Sequence, residues 1–355
     1  CFCPHCLASF RRFARAEHGT LDRLNAAWGS AFTNWDDVAP LVLADALQAR
    51  QVPRWIDHRR HADQVFADFF KIKLAALRRL DPAAEGGGIN LRVGLTTLDS
   101  YSGVDFWKLY HEAGIFSYLE NPYVPAFTPR DSARRRLLAQ IEPMWFPDRF
   151  PADERLYRLR AGNRPWLALL AGARGFAYYE EYFFMPPYTP FQPILNADLT
   201  ASATIQTLAG AVSRVRAGLG HFLFESRPAD SGIALLYSRA SEHAATAWQA
   251  LQTNRLAANI SPPRQMGFYT QGLQALGFQF APVSDDQVAG GILADGGYRL
   301  LILPVAQALS TGTVARIRDF VRDGGCLAAD LRPAMGDVHG TAGTAGLLDD
   351  VFGVR

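Results

Sequence analysis

The chain has 355 residues, which at roughly 100–200 residues per domain makes about two domains and excludes a small stapled scaffold. Hydrophobic residues make up 49% and charged residues 20%, enough apolar surface for a full core, so a disordered chain is excluded. Lys and Arg at 36 against Asp and Glu at 34 leave a net charge of +2, too little to draw nucleic acid or an anionic membrane surface, and no apolar run is long enough to span a bilayer.

The chain opens on Cys1-Phe2-Cys3-Pro4-His5-Cys6. No Met, basic stretch or apolar leader precedes these residues, and a missing N-terminal portion is expected. A C-x-C-x-x-C arrangement brings the thiolates of Cys1, Cys3 and Cys6 within reach of one tetrahedral ion, for which zinc is the fitting metal. The fourth ligand is His5 or, because His5 is wedged between Pro4 and Cys6, a residue outside the chain. Such a site has no open position, so the zinc would be structural; the alternative is a chance cluster of reduced thiols. Cys326 stands alone in a strand and is expected in the core.

Residues 53–80 carry Val65, Phe66, Phe69, Phe70, Leu74 and Leu77 at helical spacing, with Asp81-Pro82 as the stop, which predicts a long amphipathic helix. Beyond Gly86-Gly87-Gly88 the pattern predicts a strand over 89–97, a helix over 106–114, a strand over 115–118, a helix over 130–138, a strand over 139–142, a helix over 154–173 and an aromatic strand over 175–184. Four strand–helix units in a row predict a parallel sheet with right-handed crossovers, open or closed into a barrel. In a (β/α)8 barrel the catalytic groups sit at the C-terminal strand ends, which would gather Asp99, Glu120, Glu142 and Glu180 or Glu181 at one mouth. One more helix, 200–224, leads to a boundary at Glu225-Ser226-Arg227-Pro228. From there strands at 232–237, 299–304 and 326–330 with helices at 268–276 and 313–322 predict a second, doubly wound α/β unit. It carries neither a G-x-G-x-x-G nor a nucleophile elbow.

Gln140-Ile141-Glu142-Pro143-Met144-Trp145 places a carboxylate where a strand stops, with an indole three residues on. Retaining glycoside cleavage needs one carboxylate to attack the anomeric carbon and one carboxylic acid to protonate the leaving oxygen, and Glu142 is the nucleophile candidate. A glutamate at a strand end can equally bond an Arg or helix N–H groups. Trp28 and Trp145 are candidates to stack on a sugar ring, with core packing the alternative. Glu180 either binds sugar hydroxyls or neutralises Arg174, and Asp99 and Tyr101 either bind substrate or cap the loop after their strand.

Taken together these residues resemble the family 42 glycoside hydrolases, β-galactosidases of the (β/α)8 type. The resemblance runs through Cys1 to Cys6, Phe10-Arg11-Arg12-Phe13, Gly19-Thr20-Leu21, Asn25, Trp28-Gly29 and Trp35-Asp36, then Thr96-Thr97, Asn121-Pro122-Tyr123, Glu142-Pro143 and Pro165 to Tyr178. It implies an α/β fold: residues 1–225 as the C-terminal half of a TIM barrel with a zinc segment, and 228–355 as a flavodoxin-like trimerisation domain. It further implies a β-galactoside or oligosaccharide substrate, Glu142 as nucleophile, an acid/base Glu ahead of Cys1, and a fourth zinc-binding Cys further upstream. Asp99, Tyr101, Glu120, Asn121, Tyr123, Trp28, Trp145 and Glu180 are the expected sugar contacts. A homotrimer is expected, as is a cytoplasmic location from the reduced thiols. The alternative is a non-catalytic carbohydrate-binding or scaffolding relative.

Overall fold

The computed structural model describes residues 2–84, 198–226, 231–251 and 262–354, the segments 86–89, 92–93, 103–104, 115–118, 138–141, 154–170 and 175–178, and residues 108 and 195. Helix α1 (Pro4–His18) starts behind an extended Cys3 with Pro4 in its first turn, where a fixed φ and a missing N–H cost nothing. It stops at Gly19, and α2 (Leu21–Trp28) begins at once, the Thr20 hydroxyl accepting from the Arg23 N–H. Helix α3 (Leu43–Gln48) then leads to α4 (Val52–Leu80), which ends where Asp81-Pro82 was expected to end it.

Only part of the stripe that the sequence suggests is covered, Leu74 being buried and Phe66 and Phe70 half-buried. Val65, Phe69, Ile72, Leu77 and Leu80 are exposed, whereas Val52, Trp55, Ile56, Asp57, Arg59, His61, Asp63, Ala67 and Leu74 are buried. The first half of the helix therefore buries charge as well as apolar surface, and those charges need partners from elsewhere in the chain.

Strands β1 (Gly86–Ile89) and β4 (Ile115–Tyr118) pair with each other, as do β2 (Arg92–Val93) and β3 (Gly103–Val104) in parallel. Strand β5 (Leu138–Ile141) runs parallel to β6 (Gly175–Tyr178), with Leu138 opposite Gly175 and Ile141 opposite Tyr178. Helix α5 (Glu154–Leu170) connects them in sequence and packs on α6 (Ala203–Arg214). The expected single helix over 200–224 is interrupted by a wide turn at Val215–Leu219, with Gly218 at φ 130°, before α7 (Gly220–Glu225). The helices expected over 106–114 and 130–138 lie outside the described residues, apart from Lys108 and from Leu138, which is the first residue of β5 and not helical.

The C-terminal part is an α/β sheet with all strands parallel. Strands β7 (Ile233–Tyr237), β8 (Ala281–Ser284), β9 (Leu300–Leu303) and β10 (Cys326–Ala329) are ordered β10-β9-β7-β8. The first strand has its successor on one side and the third strand on the other, the doubly wound arrangement of flavodoxin-like sheets. Helices α8 (Arg239–Ala250) and α9 (Pro262–Ala275) connect β7 to β8, α10 (Asp285–Ala289) and α11 (Ile292–Asp295) connect β8 to β9, and α12 (Thr311–Arg322) connects β9 to β10. Leu236, Leu301, Leu303, Ile317 and Phe320 are among its core residues. Cys326, expected in the core, is exposed at the start of β10, the strand at the end of the sheet order.

By contacts the chain divides into one unit of residues 1–86, 92–115 and 230–355 and another of 87–91 and 116–229. The C-terminal α/β elements begin with β7 at Ile233, and the N-terminal helices belong to the same unit. Trp55 and Ile56 of α4 pack with Ala244 and Ala247 of α8 and with Ala308, and the polar partners of α4 lie on the same side. No described helix is long and apolar enough to cross a membrane.

Candidate functional site

Parallel pairing puts the carboxyl ends of β5 and β6 side by side, Ile141 against Tyr178. Glu142 follows Ile141 in sequence, and Glu180 is the second residue after Tyr178. Glu142 and Glu180 themselves lie outside the described residues, together with Asp99, Tyr101, Glu120, Asn121, Tyr123, Trp145 and Cys1.

Trp28 is described, and it is a core residue. It is 1% exposed, its ring stacks on Phe10 at 6.0 Å between centroids, and its edge contacts are His18 and Phe32. Its indole N–H donates to Asp57 Oδ2 at 2.8 Å. A ring enclosed in this way offers no face to a sugar, so of the two roles open to Trp28 the packing one holds.

Cys3 and Cys6 lie at the N-terminal end of α1, Cys3 exposed and Cys6 half-buried, and neither is in a disulfide. Their thiols hydrogen-bond to each other: bonds from Cys6 lower the Cys3 pKa, while the side-chain bond to Cys3 raises that of Cys6. Two hydrogen-bonded thiols, one with its pKa held below the ordinary thiol value, fit the soft thiolate donor set that zinc takes.

Reasoning from the sequence missed the buried ionic network between α4 and the C-terminal part. Asp57 accepts hydrogen bonds from His18 Nε2 (2.8 Å), Trp28 Nε1 (2.8 Å), His339 Nδ1 (2.7 Å) and Arg60 (3.1 Å). Burial alone would raise its pKa, but the bonds from His18 and His339 and the charge of Arg60 hold it well below the usual carboxylate range. Six residues on, Asp63 is held bidentately by Arg239 at 2.9 and 3.0 Å and accepts from His243 Nε2 at 2.9 Å. Its carboxyl is also held low, against burial, by Arg239 and His243. Arg239 reaches Glu242 at 2.6 Å, and burial raises the Glu242 pKa against the pull of that guanidinium. Burial first, and the Arg239 charge second, push His243 down to about 4. His18, Asp57 and His339 are spaced as a metal could use them. Asp57 already accepts from four donors, and the Arg60 cation lies 3.3 Å from His339 Nδ1, a poor setting for a divalent ion. The signal in the sequence was the charged and imidazole-rich run Asp57 to Asp63 inside a helix, with Trp55-Ile56 before it and Val65-Phe66 after it.

A parallel α/β chain with a (β/α)-type strand pair and a flavodoxin-like end fits the architecture of a glycosidase. Residues 1–173, just under half of the chain, match the family model of glycoside hydrolase family 42, described as beta-galactosidase. The β-galactosidase BgaP of Planococcus sp. (strain L4) is 20% identical over 346 residues, covering 92% of this chain and 48% of that protein. A β-galactosidase of Thermus thermophilus is 32% identical over 85 residues, 23% of this chain and 13% of that protein. The crystal structure of a β-galactosidase from Bacillus circulans sp. alkalophilus superposes with a TM-score of 0.78 at 18% identity, covering 99% of this chain and 53% of that one. An exo-carrageenase of family 42 from Bacteroides ovatus reaches 0.67 at 12% identity, covering 97% and 48%. The fold is thus that of the family 42 enzymes, and the chain spans about half the length of these structures and of the Planococcus protein.

Proposed function

We propose that the chain is part of a retaining glycoside hydrolase acting on terminal β-galactosides, with Glu142 as the nucleophile. The observation that carries this is the parallel β5–β6 pair, whose first strand stops at Ile141, immediately before Glu142, within the family-matched residues. Glu142 attacks the anomeric carbon as the glycosidic bond breaks, and the leaving oxygen takes a proton from a carboxylic acid. Water then resolves the glycosyl-enzyme with that same group as base. The acid/base is the Glu that the family carries ahead of the cysteine triplet, so the experiment belongs in the protein that includes it. There Glu142→Gln abolishes hydrolysis of an aryl β-galactoside while the circular dichroism spectrum is unchanged; undiminished turnover overturns the assignment. Cys1, Cys3 and Cys6 hold a structural zinc, and the flavodoxin-like part serves assembly into a trimer.

A further inference from the structure

In an open α/β sheet the crevice beyond the carboxyl ends of the strands, at the point where strand order reverses, is where ligands bind. Here that point lies at β7, with β8 on one side and β9 on the other. A cleft of about 170 Å³ opens beside it. Tyr237 ends β7, Ser284 ends β8 and Ser310 caps α12 after β9, and all three line the cleft. Phe13 of α1 and Val338 add apolar wall. Among the described residues, none that lines the cleft belongs to β5 or β6.

The charges decide what fits. Asp285 and Asp286 occupy the first turn of α10 at the cleft, and Glu17 and Asp63 add two further carboxylates, so a phosphate or nucleotide is repelled. Arg60, Arg239 and Lys108 line the same space, which disfavours a bare cation equally. Donors and acceptors in near balance suit a neutral ligand that is both. His243 also lines the cleft; its side chain is 1% exposed, its Nε2 is committed to Asp63, and its Nδ1 has no hydrogen-bond partner among the described residues. With Nε2–H facing a carboxylate, Nδ1 holds a lone pair, a buried acceptor that costs stability until a donor meets it.

We propose that this cleft binds a neutral polyhydroxylated small molecule of monosaccharide size, its hydroxyls meeting the mixed polar wall and its C–H groups the apolar wall that Phe13 and Val338 contribute. This site is independent of the hydrolytic role of Glu142. Calorimetric titration of the folded chain with D-galactose, D-glucose and inorganic phosphate tests it. One of the two sugars binds saturably at one site per chain, and phosphate does not. Asp286→Trp, at an exposed rim position, lowers the affinity at least tenfold, and Asp286→Asn, which keeps the volume, lowers it about threefold should the Trp variant fail to fold. Glu142→Gln binds as the parent does, which separates this cleft from a site at the barrel strand ends. Absence of saturable sugar binding, binding indifferent to a folded Asp286 variant, or binding lost in Glu142→Gln overturns the proposal.

Discussion

Trp28 shows how a single buried carboxylate organises its surroundings. Asp57 is fully buried, and its two oxygens are met by two imidazoles, one indole and one guanidinium, drawn from α1, α2, α4 itself and the segment around His339. Each donor is needed because a buried anion without partners is far costlier than any one bond is favourable. Trp28→Phe keeps the ring stacked on Phe10 but removes one donor to the charge. Hydrogen bonds to charged groups contribute about 1.5–3 kcal/mol, so urea denaturation of this variant should show a loss of that order. In the hydrolytically competent protein its KM for an aryl galactoside should match that of the parent. A raised KM with unaltered stability would return Trp28 to the sugar site.

At the scale of elements, what could be read from the sequence was what local chemistry fixes. The stop of α4 at Asp81-Pro82, the strand Ile115–Tyr118, the end of α9 before Gly277 and the turn at Gly324-Gly325 into β10 all follow from residues within a few positions. Helix α8 did not announce itself, because it buries Arg239, Ser241, Glu242 and His243, and these are tolerated only through partners distant in the chain: Arg239 lies 176 residues from Asp63. The exposed stripe of α4 misled for the complementary reason, since apolar spacing reports a helix but not which face is covered. Around the candidate site, the strand that leads to Glu142 was legible, and the α4 network was not. The thiols make a prediction at this scale. Pro4 and the Cys3 cap begin α1 with no side-chain hydrogen bond at the cap, so a zinc held by Cys1, Cys3 and Cys6 would tie down an otherwise fraying turn. Metal analysis should find close to one zinc per chain, and chelation should increase amide exchange in the first turn of α1 while leaving β7 and β9 protected. A metal-free preparation with the same exchange pattern would remove zinc from the account.

The whole N-terminal to C-terminal unit is held together by groups whose protonation differs between folded and unfolded chain, so its stability depends on pH in a direction that can be worked out. His243 is held at about 4 by burial and by Arg239, against an ordinary value of 6.5. The unfolded chain takes up that proton as pH falls through 6.5 and the folded chain does not until about 4, so stability declines across this window. One such group contributes about 1.4 kcal/mol per pH unit. His61, also held at about 4 chiefly by burial, acts in the same sense. Asp57 and Asp63, whose pKa values are depressed, contribute stability above the ordinary carboxylate range and lose it as pH falls further. His339 acts oppositely. Asp57 raises its pKa in spite of burial, so its contribution is fully present below the ordinary histidine value and is lost as pH rises through the folded one. The urea midpoint should therefore be highest near neutrality and fall steeply from pH 6.5 to 4. His243→Gln removes one of the depressed imidazoles, so although it lowers stability at neutral pH, its decline across that window should be shallower than the parent's. Parallel declines in the two proteins would mean that His243 is not kept neutral in the fold.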